Sequence, residues 1–145
     1  MKVRIKKLDE RAKLPSYGTE YSAGADLYAL TDAECVIAPH TTKLISTGLA
    51  IEIPEGYCGL IFARSGLASK RGLAPANKVG VIDADYRGEI KVALHNHTDS
   101  PATVEAGERV AQLAIVPFLK AEFEESIELS DTTRGSGGFG STGKS

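Results

Sequence analysis

The chain has 145 residues, the length of one domain with room for a sizeable core. Acids outnumber bases 19 to 17, the net charge is −2, and no long basic run occurs, which argues against a nucleic-acid partner. The longest apolar run, residues 110–119, is broken by Gln112 and Pro117 and is far too short to span a bilayer, so no membrane partner is expected either.

The N-terminus, Met1-Lys2-Val3-Arg4-Ile5-Lys6-Lys7, is charged at alternate positions and has no apolar segment. It reads as a strand, not a signal peptide. Cys35 and Cys58 lie in apolar, strand-like stretches without metal-ligand spacing, so buried free thiols in a reducing cytoplasm are expected. The 15 glycines and 6 prolines punctuate short β-like runs. Residues 2–6 alternate in polarity. Residues 41–46 and 49–53 are rich in β-branched side chains and are split by Gly48. Residues 57–63 follow the Pro54-Glu55-Gly56 turn, then come 89–97, 102–105 and 109–118, and 121–127 closes the series. So many short strands with regular turn signals predict an all-β sandwich or barrel. One helix is expected, over residues 65–71, with Ser65 as N-cap and Gly72 just past its end. Residues 109–118 are apolar on both faces apart from Gln112. Such a strand needs cover from a second sheet or a neighbouring subunit.

The stretch from Gly80 to Leu94 is the densest in chemistry. It begins apolar, turns sharply and leaves as a strand with Ile90, Val92 and Leu94 on one face and Lys91, Ala93 and His95 on the other. Two acids, a tyrosine and an arginine lie between Gly80 and Gly88. In a tight hairpin the flanking strands would hold them as a rigid site. The plainer reading is a solvated hairpin tip, since these residue types all suit turns. Arg64 and Ser65 stand at the mouth of the short helix, where backbone N–H groups, a hydroxyl and a guanidinium can bind an anion; the plainer reading is a capped helix with a solvated basic end. Asp26 beside Gly24 reads as a strand start. Gln112 is an amide in an apolar strand that must find a partner, and a structural hydrogen bond would serve.

The last 16 residues hold five glycines, four serines, three threonines and one large apolar side chain, Phe139. That composition does not order itself, so residues 130–145 read as a flexible arm on a body of residues 1–129. Two phosphate-binding patterns match there by spelling, G-x-G-x-x-G from Gly135 and G-x-x-x-x-G-K-S from Gly138. Each needs a strand before and a helix after, and neither a Rossmann nor a Walker site is expected. Glycine-rich backbone can still wrap a phosphate with its N–H groups, helped by Arg134 and Lys144.

Taken in order, five segments resemble the motifs of the trimeric dUTPases: residues 23–28, 64–72, 80–88, 107–117 and 134–143. The third and fifth together are highly specific, and the resemblance covers nearly the whole chain. One departure is Ala63, where the family usually has proline; it touches loop stiffness more than chemistry. The resemblance implies a jelly-roll-like β-sandwich and a homotrimer with active sites shared between subunits. It implies hydrolysis of dUTP to dUMP and pyrophosphate with Mg²⁺, supplying dUMP for thymidylate synthesis. Asp83 is then the general base. Asn77 and the backbone of Gly80, Val81, Ile82 and Asp83 read the uracil edge, and Tyr86 lies against the deoxyribose and excludes a 2′-hydroxyl. Lys91 lies near the nucleoside, and Arg64, Ser65, Gly66 and Gln112 hold phosphate oxygens. Asp26 orders the metal's water shell. Arg134, Phe139, Gly140 and Ser141 come from another subunit's arm.

Elementary chemistry agrees with these implications. A triphosphate carries about four negative charges, so a net-acidic protein needs local cations and a metal to hold it. Mg²⁺ keeps much of its water and binds through few carboxylates plus phosphates, consistent with a sequence that has no dense carboxylate cluster. Two rivals remain at this point. The dCTP deaminases of the same superfamily carry a glutamate where this chain has Ala93, and a non-catalytic nucleotide-binding protein on the same fold would not need Asp83, Tyr86 and a complete arm.

Overall fold

The computed structural model describes residues 1–138; Phe139, Gly140 and Ser141, expected to bind substrate, and Lys144 lie outside the described residues. In chain order the elements are β1 (Arg4–Lys7), β2 (Ser16–Tyr17), β3 (Ala25–Tyr28), β4 (Cys35–Ile37), β5 (Thr42–Glu52), β6 (Tyr57–Phe62), α1 (Ser65–Arg71), β7 (Leu73–Pro75), β8 (Gly80–Ile82), β9 (Glu89–Asn96), β10 (Ala102–Val104) and β11 (Arg109–Pro117).

Alternating side chains give each long strand one apolar face, and two such faces must meet to leave water. They do so as a sandwich. One sheet runs β1-β5-β9-β7, the other β2-β3-β11-β6-β8, with β4 and β10 paired separately. The pairings are antiparallel. Leu27, Ile61, Ile82, Val110 and Leu113 face the core from one sheet; Ile45, Ile51, Ile90, Val92 and Leu94 face it from the other. Each such burial contributes roughly 1.5–3 kcal/mol. The expected all-β sandwich with one short helix is the fold observed.

Three expectations need correction. The break at Gly48 is a bulge inside β5, where the register against β9 shifts between Ser46 and Ala50. Gly48 has φ 67°, and a Cβ there would meet Leu30 Cδ2 at 2.6 Å and Ala12 Cβ at 2.9 Å, so glycine alone fits. The helix spans the expected residues, with Gly72 in the left-handed conformation at its end, but Arg64 occupies the N-cap position without a side-chain cap bond. Ser65 lies one residue inside the helix, so its hydroxyl does not cap it. Finally, residues 121–127 form no strand. Phe123 and Ile127 are almost fully exposed, because an alternating sequence pairs only when an edge is presented to it.

Cys35 and Cys58 are free and half-buried rather than buried. The three histidines gather near the end of β9. His95 and His97 meet edge to face with ring centroids 4.5 Å apart, Thr42 Oγ1 and His95 Nδ1 are 2.9 Å apart, and His40 Nε2 lies 2.8 Å from Asp99 Oδ1.

Candidate active site

The stretch 80–94 is not a hairpin. β8 pairs with β6 in one sheet, while β9 pairs with β5 and β7 in the other. Ile82 and Ile90 are both buried, but they reach the core from opposite layers. Residues 83–88 therefore cross from sheet to sheet. The crossing is tightly bonded. The Tyr86 N–H donates to the Asp83 carbonyl at 3.1 Å. Arg87 Nη1 donates to the carbonyls of Ala84 at 2.6 Å and Tyr86 at 3.0 Å. The Tyr86 hydroxyl donates to the Glu89 carbonyl at 3.0 Å.

Beside the crossing lies a pocket of about 480 Å³, and Asn77, Gly80, Val81, Ile82, Asp83, Tyr86 and Lys91 all line it. The turn between β7 and β8 presents Asn77: Lys78 has φ 64°, and the Val79 N–H donates to the Asn77 carbonyl at 2.7 Å. Glu89 also lines the pocket and was not anticipated. Its Oε1 accepts the Gly48 N–H at 2.9 Å, and its Oε2 lies 3.3 Å from Lys91 Nζ. It thereby ties Lys91 to the β5 bulge. The signal was present in sequence, since residues two apart share one face of a strand. Leu44 lines the pocket as well, opposite Ala93 in register, a pairing that a sequence does not display.

The remaining predicted residues of the body form a second group. Asp26 on β3 is opposite Gln112 on β11, which is opposite Phe62 on β6. Arg64 Nε donates to Asp26 Oδ1 at 2.7 Å, and Arg109 Nη1 to Oδ2 at 3.3 Å. The Asp26 side chain is only 10% exposed, and a buried carboxylate is tolerated there because two guanidinium groups satisfy it. Gln112 Nε2 reaches the Ala63 carbonyl at 3.5 Å, a long contact that leaves the amide available. A Cβ on Gly24 would meet Gln112 Oε1 at 2.6 Å, so that glycine makes room for the amide. Gly24, Asp26, Arg64, Arg109 and Gln112 share a cleft of about 330 Å³. Ser65 and Gly66 are exposed in the first turn of α1 beside it. Arg109 is a second residue that sequence reasoning missed.

Arg134 joins neither group: it is exposed, and its Nε donates to the Gly137 carbonyl at 2.8 Å within the arm. No cluster of three or more His, Cys, Asp or Glu side chains among the described residues could hold a metal. A lone carboxylate already engaged by arginines suits a cation carried by phosphates and reached through water, not a protein cage.

The chain matches known proteins over nearly its whole length. The family model described as dUTPase matches residues 10–143. A deoxyuridine 5'-triphosphate nucleotidohydrolase from Hydrogenobaculum sp. (strain Y04AAS1) is 54% identical over 143 residues, covering 99% of each chain. The dUTPase of Staphylococcus bacteriophage 80alpha, solved with dUPNHPP, aligns at TM-score 0.90 and 31% identity over 99% of each chain. A mutant dUTPase from phage phi11 of S. aureus, solved with a structural Mg(II) ion, aligns at TM-score 0.81 and 26% identity over 90% of this chain and all of that one. With a family match across nearly its full length and a relative sharing more than half its residues, this chain belongs to the dUTPase family.

Proposed function

We infer that the chain hydrolyses dUTP to dUMP and pyrophosphate. The observation that carries this reading is the gathering of Asn77, Asp83, Tyr86 and Lys91 around one pocket. Asn77 and the β8 backbone offer donors and acceptors to a uracil edge, and leaving them unpaired penalises the wrong base. Tyr86 stands against the sugar. Asp83 takes a proton from water as the water oxygen bonds to the α-phosphorus. The bond from that phosphorus to the oxygen bridging the α- and β-phosphates breaks, and pyrophosphate leaves with the bond's electrons. Arg64, Ser65, Gly66 and Gln112 hold phosphate oxygens. When bound with the triphosphate, Mg²⁺ supplies charge neutralisation, and Asp26 would order its water shell. Ala93 lines the same pocket, so the position where related deaminases carry glutamate offers only a methyl group.

The working unit in this reading is a homotrimer with shared sites. The division of the predicted residues between two pockets of one chain supports it, as do the exposed Leu44, Val81 and Phe62 beside them. Residues 1–129 form the body, and residues 130–145 form an arm that brings Arg134, Phe139, Gly140 and Ser141 over a neighbour's site. The free thiols fit a reducing cytoplasm, and no helix among the described residues is long and apolar enough to cross a membrane. Incubation with dUTP and Mg²⁺ should release pyrophosphate and dUMP, and incubation with dCTP should release no ammonia. Binding of dUTP without turnover would replace the enzyme reading with a binding protein.

A further inference from the structure

We propose that Gly88 is a specificity-determining residue, because its missing side chain is the seat on which the Tyr86 ring lies. The inference rests on Tyr86 being the group that excludes a 2′-hydroxyl. A Cβ built on Gly88 would lie 2.6 Å from Tyr86 Cζ and 2.9 Å from Cε2, with Tyr86 Oη closer still; its three nearest neighbours all belong to that one ring. Gly88 is not among the residues at positive φ, so the backbone makes no demand for glycine. The demand comes from the ring alone. Tyr86 is held at its tip by the Glu89 carbonyl and at its base by the turn that Arg87 clamps. These contacts fix the ring against the backbone at Gly88. It is 46% exposed at the pocket edge, so a methyl group on residue 88 can push it aside by rotating the side chain, without disturbing the core.

Exclusion by shape requires a wall that stays in place. Gly88→Ala should therefore loosen sugar discrimination while sparing the fold. The test measures kcat/KM for dUTP and UTP, with melting temperatures, in Gly88→Ala, Tyr86→Ala and the double variant. The expected result is a UTP-to-dUTP ratio raised about tenfold by Gly88→Ala, raised at least as far by Tyr86→Ala, and raised no further in the double variant. If Tyr86→Ala moves the ratio and Gly88→Ala does not, Gly88 is no seat. If Tyr86→Ala itself leaves the ratio unchanged, the sugar-gate reading of Tyr86 fails, and this proposal with it. Should Gly88→Ala lower the melting temperature, the same alanine must be harmless once the Tyr86 ring is gone. A loss that persists in the double variant assigns Gly88 to the backbone and overturns the proposal.

Discussion

Asp83 sits at the end of β8 with its carbonyl tied to the Tyr86 N–H, so its backbone is fixed before any substrate arrives. Asp83→Asn removes the base and keeps the shape. It should bind nucleotide normally, melt at the parent temperature, and lose on the order of 10²–10⁴ in turnover, the range for a positioned general base. Near-normal turnover would move the proton transfer elsewhere. The polar residues predicted for this site came from the resemblance of five ordered segments to a family's motifs, not from their types, since acids and bases are common in the chain. Their supports were not legible in that way. Arg109 meets Asp26 across 83 positions, and Glu89 meets the Gly48 N–H across 41. Such partners appear only when strand register is known. Gly24 and Gly88 were legible as glycines but not as spaces, since the side chain that fills each space becomes visible only in three dimensions.

Elements were read best where the sequence alone decides them. α1 ends where Gly72 predicts, because a left-handed glycine stops a helix locally, while it starts at Ser65 without the side-chain cap expected of that residue. β9 alternates as expected. Failures came where a distant partner decides: residues 121–127 alternate but meet no edge, and β8 and β9 look like a hairpin until each is claimed by a different sheet. The end of β9 also carries a pH dependence. Partial desolvation, with the charges of His95, Lys78 and His40, pushes the His97 pKa below its usual 6.5; Asp99 pairs with His40. The unfolded chain then binds the proton first as pH falls through 6.5. Folding stability should therefore be unaffected at alkaline pH and decline below about pH 7. His97→Gln should flatten that decline in denaturant titrations between about pH 7 and 5. The exposed position of His97 keeps the effect small, and an unchanged slope would remove His97 from the account.

At the scale of the whole molecule, the proposed working unit is a homotrimer whose sites are shared between subunits. Light scattering should report roughly three times the chain mass of 15.3 kDa. A monomer active at micromolar concentration would contradict the shared site. Residues 130–138 contain no buried side chain, so deletion after Leu129 should leave oligomer and melting temperature unchanged. Turnover should collapse, because Arg134 and the glycine-rich backbone would no longer neutralise the triphosphate. Mixing arm-deleted chains with Asp83→Asn chains should restore some activity, since an intact Asp83 can use the other chain's arm. Mixtures that stay inactive despite proven subunit exchange would mean that each arm serves its own chain.

The crossing of residues 83–88 between the two sheets has a consequence for how the protein fails. A hairpin tip can fray while its sheet survives, but a strap joining two layers loosens only when the layers part. The Tyr86 N–H, bonded to the Asp83 carbonyl, should exchange with deuterium at the slow pace of β8 and β9, through global opening rather than local opening. Inactivation by urea should then follow the loss of the β-sheet signal closely, leaving little range of denaturant in which a folded but inert protein accumulates.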